Sequence, residues 1–291
     1  MEVPKIIKEC GFHINDDPDG ICIEKDIIDE MRKYIVNNKE YNVDEKDVIS
    51  NKDVISTTKK IFNCETESCI LIKPEIKSFI GEKTISNQLE ERFKPEGPYN
   101  SKQWFSNHNI DNVLKQVAIK YNNKKFLHIK FQMRDFAKQI NNELYNTDFS
   151  EEYKKGIRCF GVVFNTDYSH KNGQHWFCVF GDFSKEPFTI EYFNSSGDDP
   201  LPEIDFWMKS TKNNLIKNLN FKVITVDVTK IDSNNNEKII NQSDNHSCGS
   251  YSLYYIISRL EGIPYEYFSK NKIGDEKMHI FREYYLFRQP K

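Results

Sequence analysis

No run of apolar residues in this 291-residue chain approaches the roughly 20 that a membrane-crossing helix needs, so no membrane span is expected. The first twenty residues carry acidic side chains and no apolar stretch of signal-peptide length, and no secretory leader is expected either. An excess of positive charge is also missing. The formal net charge of −3 gives no basic field for nucleic acid or for anionic membranes, and no nucleic-acid partner is required. Alanine is nearly absent, with 2 residues, and arginine is scarce, 7 against 34 lysines, whereas asparagine reaches 29. That bias follows AT-rich codons and concerns origin rather than chemistry. Cysteine offers no even framework: seven residues lie at positions 10, 22, 64, 69, 159, 178 and 248. Such scatter fits a reducing compartment in which most thiols are small buried hydrophobes. Cys64 and Cys69 have no second Cys or His pair nearby, so no metal site and no cofactor is expected.

What is present divides at a breaker cluster. Before it, Ile27, Ile28, Met31, Tyr34 and Ile35 share one face of a helix predicted over Ile23–Val36. Shorter helices are expected over Val54–Phe62, Lys77–Gly81 and Ser86–Phe93. The cluster Lys94-Pro95-Glu96-Gly97-Pro98-Tyr99-Asn100 then places a domain boundary, giving a helical arm at 1–96 and a core domain at 97–291. Beyond it, Asn109 is positioned to cap a helix striped with Ile110, Val113, Leu114, Val117 and Ala118. Cys159–Phe164, Trp176–Phe180 and Phe188–Phe193 are aromatic and β-branched runs parted by turn residues, so they read as strands of one sheet. A helix over Asp205–Asn218 and a strand over Phe221–Val228 follow. Asn234-Asn235-Asn236 marks a loop, Cys248–Leu260 is an almost wholly apolar helix, and Asp275 is positioned to cap a last helix reaching Phe287. Helices bracket the strands instead of alternating with them, which makes the fold class α+β.

One constellation carries chemistry. Gln242, Cys248, His175 and Asn194 each stand at the edge of an apolar segment. A thiol nucleophile needs a base, an orienter for that base and donors for an oxyanion, and these four residue types supply them. Cys248 opens a helix, where unpaired N–H groups favour a thiolate, and Gly249 leaves room for a substrate carbonyl. His175 precedes a strand and Asn194 ends the next one. If those strands form a hairpin, both residues meet at one edge of the sheet, where an Asn oxygen can hold an imidazole N–H. Cys178, mid-strand between Phe177 and Val179, reads as core. His246 is a rival base, but two residues from Cys248 it is poorly placed to share a hydrogen bond. His108, His128, His170 and His279 show no partner and read as solvated or structural.

The order His-Trp, then Asn, then Gln six residues before Cys-Gly resembles the adenovirus-protease and Ulp/SENP clan of cysteine proteases, in particular its members from African swine fever virus and related large DNA viruses. Glu67-Ser68-Cys69, Leu89–Lys94, Asn109-Ile110-Asp111, Asn165-Thr166-Asp167 and Ile190–Ser195 share that likeness, which spans about Cys64 to Phe287. It implies a papain-like, adenain-type core of central sheet and flanking helices, with an N-terminal helical arm. It implies Cys248 as nucleophile, His175 as base, Asn194 as orienter and Gln242 as oxyanion donor; most of the clan carries Asp or Glu where this chain has Asn194. The implied activity is cleavage after Gly-Gly in viral structural polyprotein precursors during virion maturation, in the host cytoplasm and the virion. Removal of ubiquitin-like modifiers and a silent Gly-Gly-binding scaffold remain the alternatives. Trp104 resembles a lid tryptophan and Trp176 follows the base. With Gly249 they are the expected substrate-binding residues, two facing indoles admitting only glycine before the cut.

Overall fold

Apolar residues at helical spacing build the first part of the chain in the computed structural model, which describes residues 9–14, 20–98, 100, 102–230 and 237–288. The expected loop at Asn234–Asn236, Tyr99 of the breaker cluster and most of the first twenty residues lie outside these. The described residues group into two units, one drawn from the chain up to Gly97 and from Glu283 onward, the other spanning Pro98–Arg282.

The first unit holds α1 (Lys25–Asn37), α2 (Asn51–Phe62), α3 (Glu67–Leu71), α4 (Pro74–Ile80) and α5 (Glu82–Arg92). On α1, Ile27, Ile28, Met31 and Ile35 are buried, as the spacing predicts, with Val54, Ile70, Leu71, Ile76, Ile85 and Phe93 in the same core. Ser50 and Asp53 form a reciprocal capping box that starts α2. Two features differ from the sequence reading. Residues 283–288 belong here and not with the core domain: Arg288 N–H donates to Pro95 O at 3.1 Å and Lys94 Nζ to Tyr284 O at 2.8 Å. Four of the seven cysteines are also not free thiols. Cys10–Cys22 and Cys64–Cys69 are disulfides, with Cα separations of 4.9 and 5.6 Å, which spacing along the chain cannot reveal.

The second unit is a mixed sheet of β1 (Phe126–His128), β2 (Gln132–Met133), β3 (Cys159–Asn165), β4 (Trp176–Asp182), β5 (Phe188–Phe193) and β6 (Val223–Asp227). The order is β1-β3-β4-β5-β6, with β2 also on β3; β3, β4 and β5 run antiparallel in turn, and the remaining pairings are parallel. The helices are α6 (Asn107–Lys120), α7 (Glu143–Asn146), α8 (Phe149–Lys154), α9 (Pro202–Leu219), α10 (Cys248–Leu260), α11 (Tyr265–Phe268) and α12 (Asp275–Phe281). Alternation along the strands sorts the two faces. Phe160, Val162, Phe164, Phe177, Val179, Ile190 and Tyr192 face α9, packing with Ile204, Trp207 and Met208. The intervening residues face α10. There Phe193 stacks on Tyr255 at 4.6 Å, and a Cβ on Gly161 would lie 3.0 Å from Ile256, so glycine lets this helix lie close to the sheet.

A buried carboxylate fixes α10 in register. Glu191, fully buried on β5, accepts from Arg259 at 2.7 and 3.0 Å, from the Tyr255 hydroxyl at 2.6 Å and from Thr189 at 2.5 Å. A paired and fully hydrogen-bonded charge of this kind tolerates no sliding of the helix. The start of α10, and with it Cys248, is thereby set against the edge of β4. Two helix starts differ from expectation. α6 is capped by Ser106, and Asn109 closes the capping box three residues in. α12 begins with Asp275, whose side chain is used elsewhere, and a π-helix over Arg282–Leu286 follows Phe281, close to the expected end at Phe287.

Candidate active site

The antiparallel register Cys178↔Phe193 brings the entry of β4 and the exit of β5 to one edge of the sheet. His175 and Asn194 therefore meet: the His175 Nε2–H donates to Asn194 Oδ1 at 2.7 Å. An amide oxygen only accepts, so this bond fixes the tautomer and leaves Nδ1 bare as the basic nitrogen. The Asn194 amide cannot turn over. Its Nδ2 donates to the Tyr192 hydroxyl at 3.0 Å, while Oδ1 also accepts from Ser196 N–H at 3.1 Å and Ser196 Oγ at 2.9 Å. Tyr192 in turn donates to Asp198 O at 3.2 Å, completing a chain that begins in the core.

Cys248 is the first residue of α10 and is buried. Burial pushes its thiol above the ordinary value, opposed by the backbone N–H groups of Trp176, Gly249 and Cys248 itself, which face the sulfur. The Trp176 N–H belongs to the His175–Trp176 peptide, so the thiol lies against the residue pair that carries the imidazole. Burial likewise lowers the His175 pKa, opposed by the Asn194 bond and the Asp198 charge. Both groups are thus biased towards their neutral forms.

Gln242 joins the site through its neighbours. Its backbone N–H donates to Ser195 O at 3.0 Å, and its Oε1 accepts from Ser195 Oγ at 2.7 Å. The side-chain Nε2 donates to Asp244 O at 3.0 Å and Oδ1 at 3.2 Å. Gln242 is therefore tied to the turn after Asn194 and to the turn before Cys248 together. A Cβ on Gly249 would sit 2.6 Å from the Phe105 ring, so packing alone already requires glycine there.

The two tryptophans differ. Trp176 is buried; its indole Nε1–H donates to Phe105 O at 3.0 Å, and its edge meets Phe131. Trp104 is 46% exposed, so it is not core. Both line a cavity of about 560 Å³ with Phe131, Met133, Asn165 and Gly173. Cys178 is fully buried, and burial raises its thiol well above the ordinary value. His246 is engaged with Asp244 at 3.3 Å and stacks on His279, which itself pairs with Asp244 at 2.9 Å, contrary to the expectation that His279 has no partner.

Sequence reasoning missed Asp275. Its carboxylate accepts the N–H groups of Ser243 (3.0 Å) and Asp244 (3.0 Å) and lies 2.9 Å from the Tyr251 hydroxyl. It clamps the turn between Gln242 and Cys248 from a helix thirty residues away. Its place ahead of an apolar run gave only a capping signal, and nothing along the chain could tie it to Ser243. Tyr192 was missed because its alternation reads as core.

Comparison with known proteins gives a consistent result. Residues 159–289 match the Ulp1 protease family, C-terminal catalytic domain. The chain is 32% identical over 295 residues to the SUMO-1 cysteine protease of African swine fever virus, covering 96% of this chain and 95% of that protein. A putative thiol protease of Acanthamoeba polyphaga mimivirus is 25% identical over 305 residues, covering 97% and 94%. The structure is similar to a crystal structure of the African swine fever virus protease, with a TM-score of 0.78 at 31% identity over 99% of this chain and 98% of that one. With identity at this level sustained over nearly the whole of both chains, the protein belongs to the Ulp1 family of SUMO-protease-like cysteine proteases.

Proposed function

We propose that the protein is an endopeptidase that cleaves after Gly-Gly in structural polyprotein precursors of a large DNA virus during virion maturation, acting in the host cytoplasm and the virion. The observation that carries the reading is the 2.7 Å bond from His175 Nε2 to Asn194 Oδ1, beside a thiol that receives the Trp176 N–H. As the Cys248 sulfur attacks the scissile carbonyl, its proton passes to His175 Nδ1. The tetrahedral oxyanion is held by the Cys248 backbone N–H and by Gln242 Nε2, which must first release Asp244. The imidazolium then protonates the leaving amine, and water, deprotonated by the same nitrogen, hydrolyses the thioester. Asn194 keeps the ring in place throughout without adding charge.

Two buried neutral partners give a particular pH profile. His175 must be unprotonated to act, and burial lowers its pKa, so activity should persist below the ordinary histidine value of 6.5. Cys248 should stay a thiol to above its ordinary 9.0. Peptide kcat/KM is expected to be flat between these limits, with the acid limb displaced below 6.5. An acid limb at or above 6.5 would overturn this.

The cavity that Trp104 and Trp176 share supports glycine selection at the residue before the cut. The test is kcat/KM on Gly-Gly, Gly-Ala and Gly-Ser peptides, with new termini read by mass spectrometry. Trp104→Ala should weaken Gly-Gly cleavage and raise relative rates on Ala and Ser. An unchanged preference ratio removes Trp104 from substrate selection. A second reading, an isopeptidase acting on ubiquitin-like conjugates, is favoured by the SUMO-1 designation of the viral relative. Faster turnover of an isopeptide-linked conjugate than of the linear peptide decides for it.

A further inference from the structure

Asp244, His246 and His279 converge just ahead of Cys248, and their ligating atoms all lie within 4.8 Å of one another. Asp244 Oδ2 is 2.9 Å from His279 Nε2 and 3.3 Å from His246 Nε2. The two rings stack with centroids 5.3 Å apart and planes 12° from parallel. Metal–nitrogen and metal–oxygen bonds of about 2.0–2.2 Å put tetrahedral ligands about 3.3 Å apart, so both distances are close to edges of such a site.

Asp244 Oδ2 accepts from Ser247 Oγ at 2.6 Å and faces both imidazole Nε2 atoms. His246 Nδ1 lies 3.4 Å from Asn245 Oδ1, so that ring can place its N–H there and turn a free Nε2 lone pair towards an ion. The other carboxylate oxygen, Oδ1, is held by the N–H groups of His246 and Ser247 at 3.0 and 2.9 Å and by Gln242 Nε2 at 3.2 Å. Such outer contacts orient a ligating carboxylate. His246 is buried and His279 is half exposed, which gives the site a supported side and an open one.

We propose that Asp244, His246 and His279 bind a divalent transition-metal ion of the zinc type, with water in the fourth position. The ion fastens the turn carrying Gln242 and Cys248 to α12 and uses no sulfur ligand.

The test uses the full chain carrying Cys248→Ala, which removes the competing thiol, titrated with Co²⁺ without reductant. One equivalent should bind with the strong visible absorption of four-coordinate cobalt and no thiolate charge-transfer band. Adding His279→Gln, on the exposed side of α12, should weaken binding by more than about tenfold, and adding His246→Gln instead should do the same. No absorption at millimolar Co²⁺, or uptake that either substitution leaves unchanged, overturns the site.

Discussion

Cys248→Ala is expected to abolish turnover, a loss on the order of 10⁶ in kcat as for other nucleophile deletions, while unfolding stays within about 1 kcal/mol of wild type. The sulfur lies at a helix start against backbone N–H groups, so removing one atom leaves the core aromatic packing intact. Cys178→Ala should give the opposite result. That thiol is fully buried between β3 and β5, and its loss leaves a void costing about 1–2 kcal/mol with activity per folded molecule retained. Denaturation curves and active-site titration on the same preparations separate the two. Iodoacetamide that modified Cys178 and spared Cys248 would sink the assignment.

His175→Ala should cost nearly as much as losing Cys248, because groups that act as a unit are not additive. Asn194→Ala should be milder in kcat, since a neutral orienter contributes position only. It should be harsher on stability, because the Tyr192 hydroxyl and the Ser196 N–H lose their partner along with His175. Gln242→Ala should cost roughly 10²–10³ in kcat, the range for an oxyanion donor. Comparing kcat and unfolding midpoints for all three variants tests the ranking. His246→Ala proving more harmful than His175→Ala under identical assay conditions would reassign the base.

The elements that shape the site were legible where periodicity is strong. The helix beginning at Cys248, the strands at 159, 176 and 188, and the meeting of His175 with Asn194 follow from local pattern plus one hairpin. Other parts depend on contacts between distant residues. The β1 and β2 segments, three and two residues long, carry no period to detect, and both pair in parallel with β3 across more than thirty residues. Ser106 and Asn109 are both good capping residues, and only the backbone decides which of them begins α6. The packing need for glycine at 249 was not legible, because the Phe105 ring that a Cβ would meet lies more than a hundred residues away. Asp275 and Tyr192 hold the site through side chains whose partners no spacing rule connects.

The two disulfides give the chain opposed redox demands. The proposed nucleophile works only as a reduced thiol, whereas Cys10–Cys22 and Cys64–Cys69 are oxidised pairs. A crosslink closing 12 residues corresponds to about 3 kcal/mol in the chain-entropy account, and one closing 5 to less. A strong dithiol, added by habit to protect a cysteine protease, also acts on these two crosslinks. Rates recorded that way belong to a chain whose helical arm has lost its crosslinks, and a graded series of reductants separates the chemistry of Cys248 from the integrity of that arm.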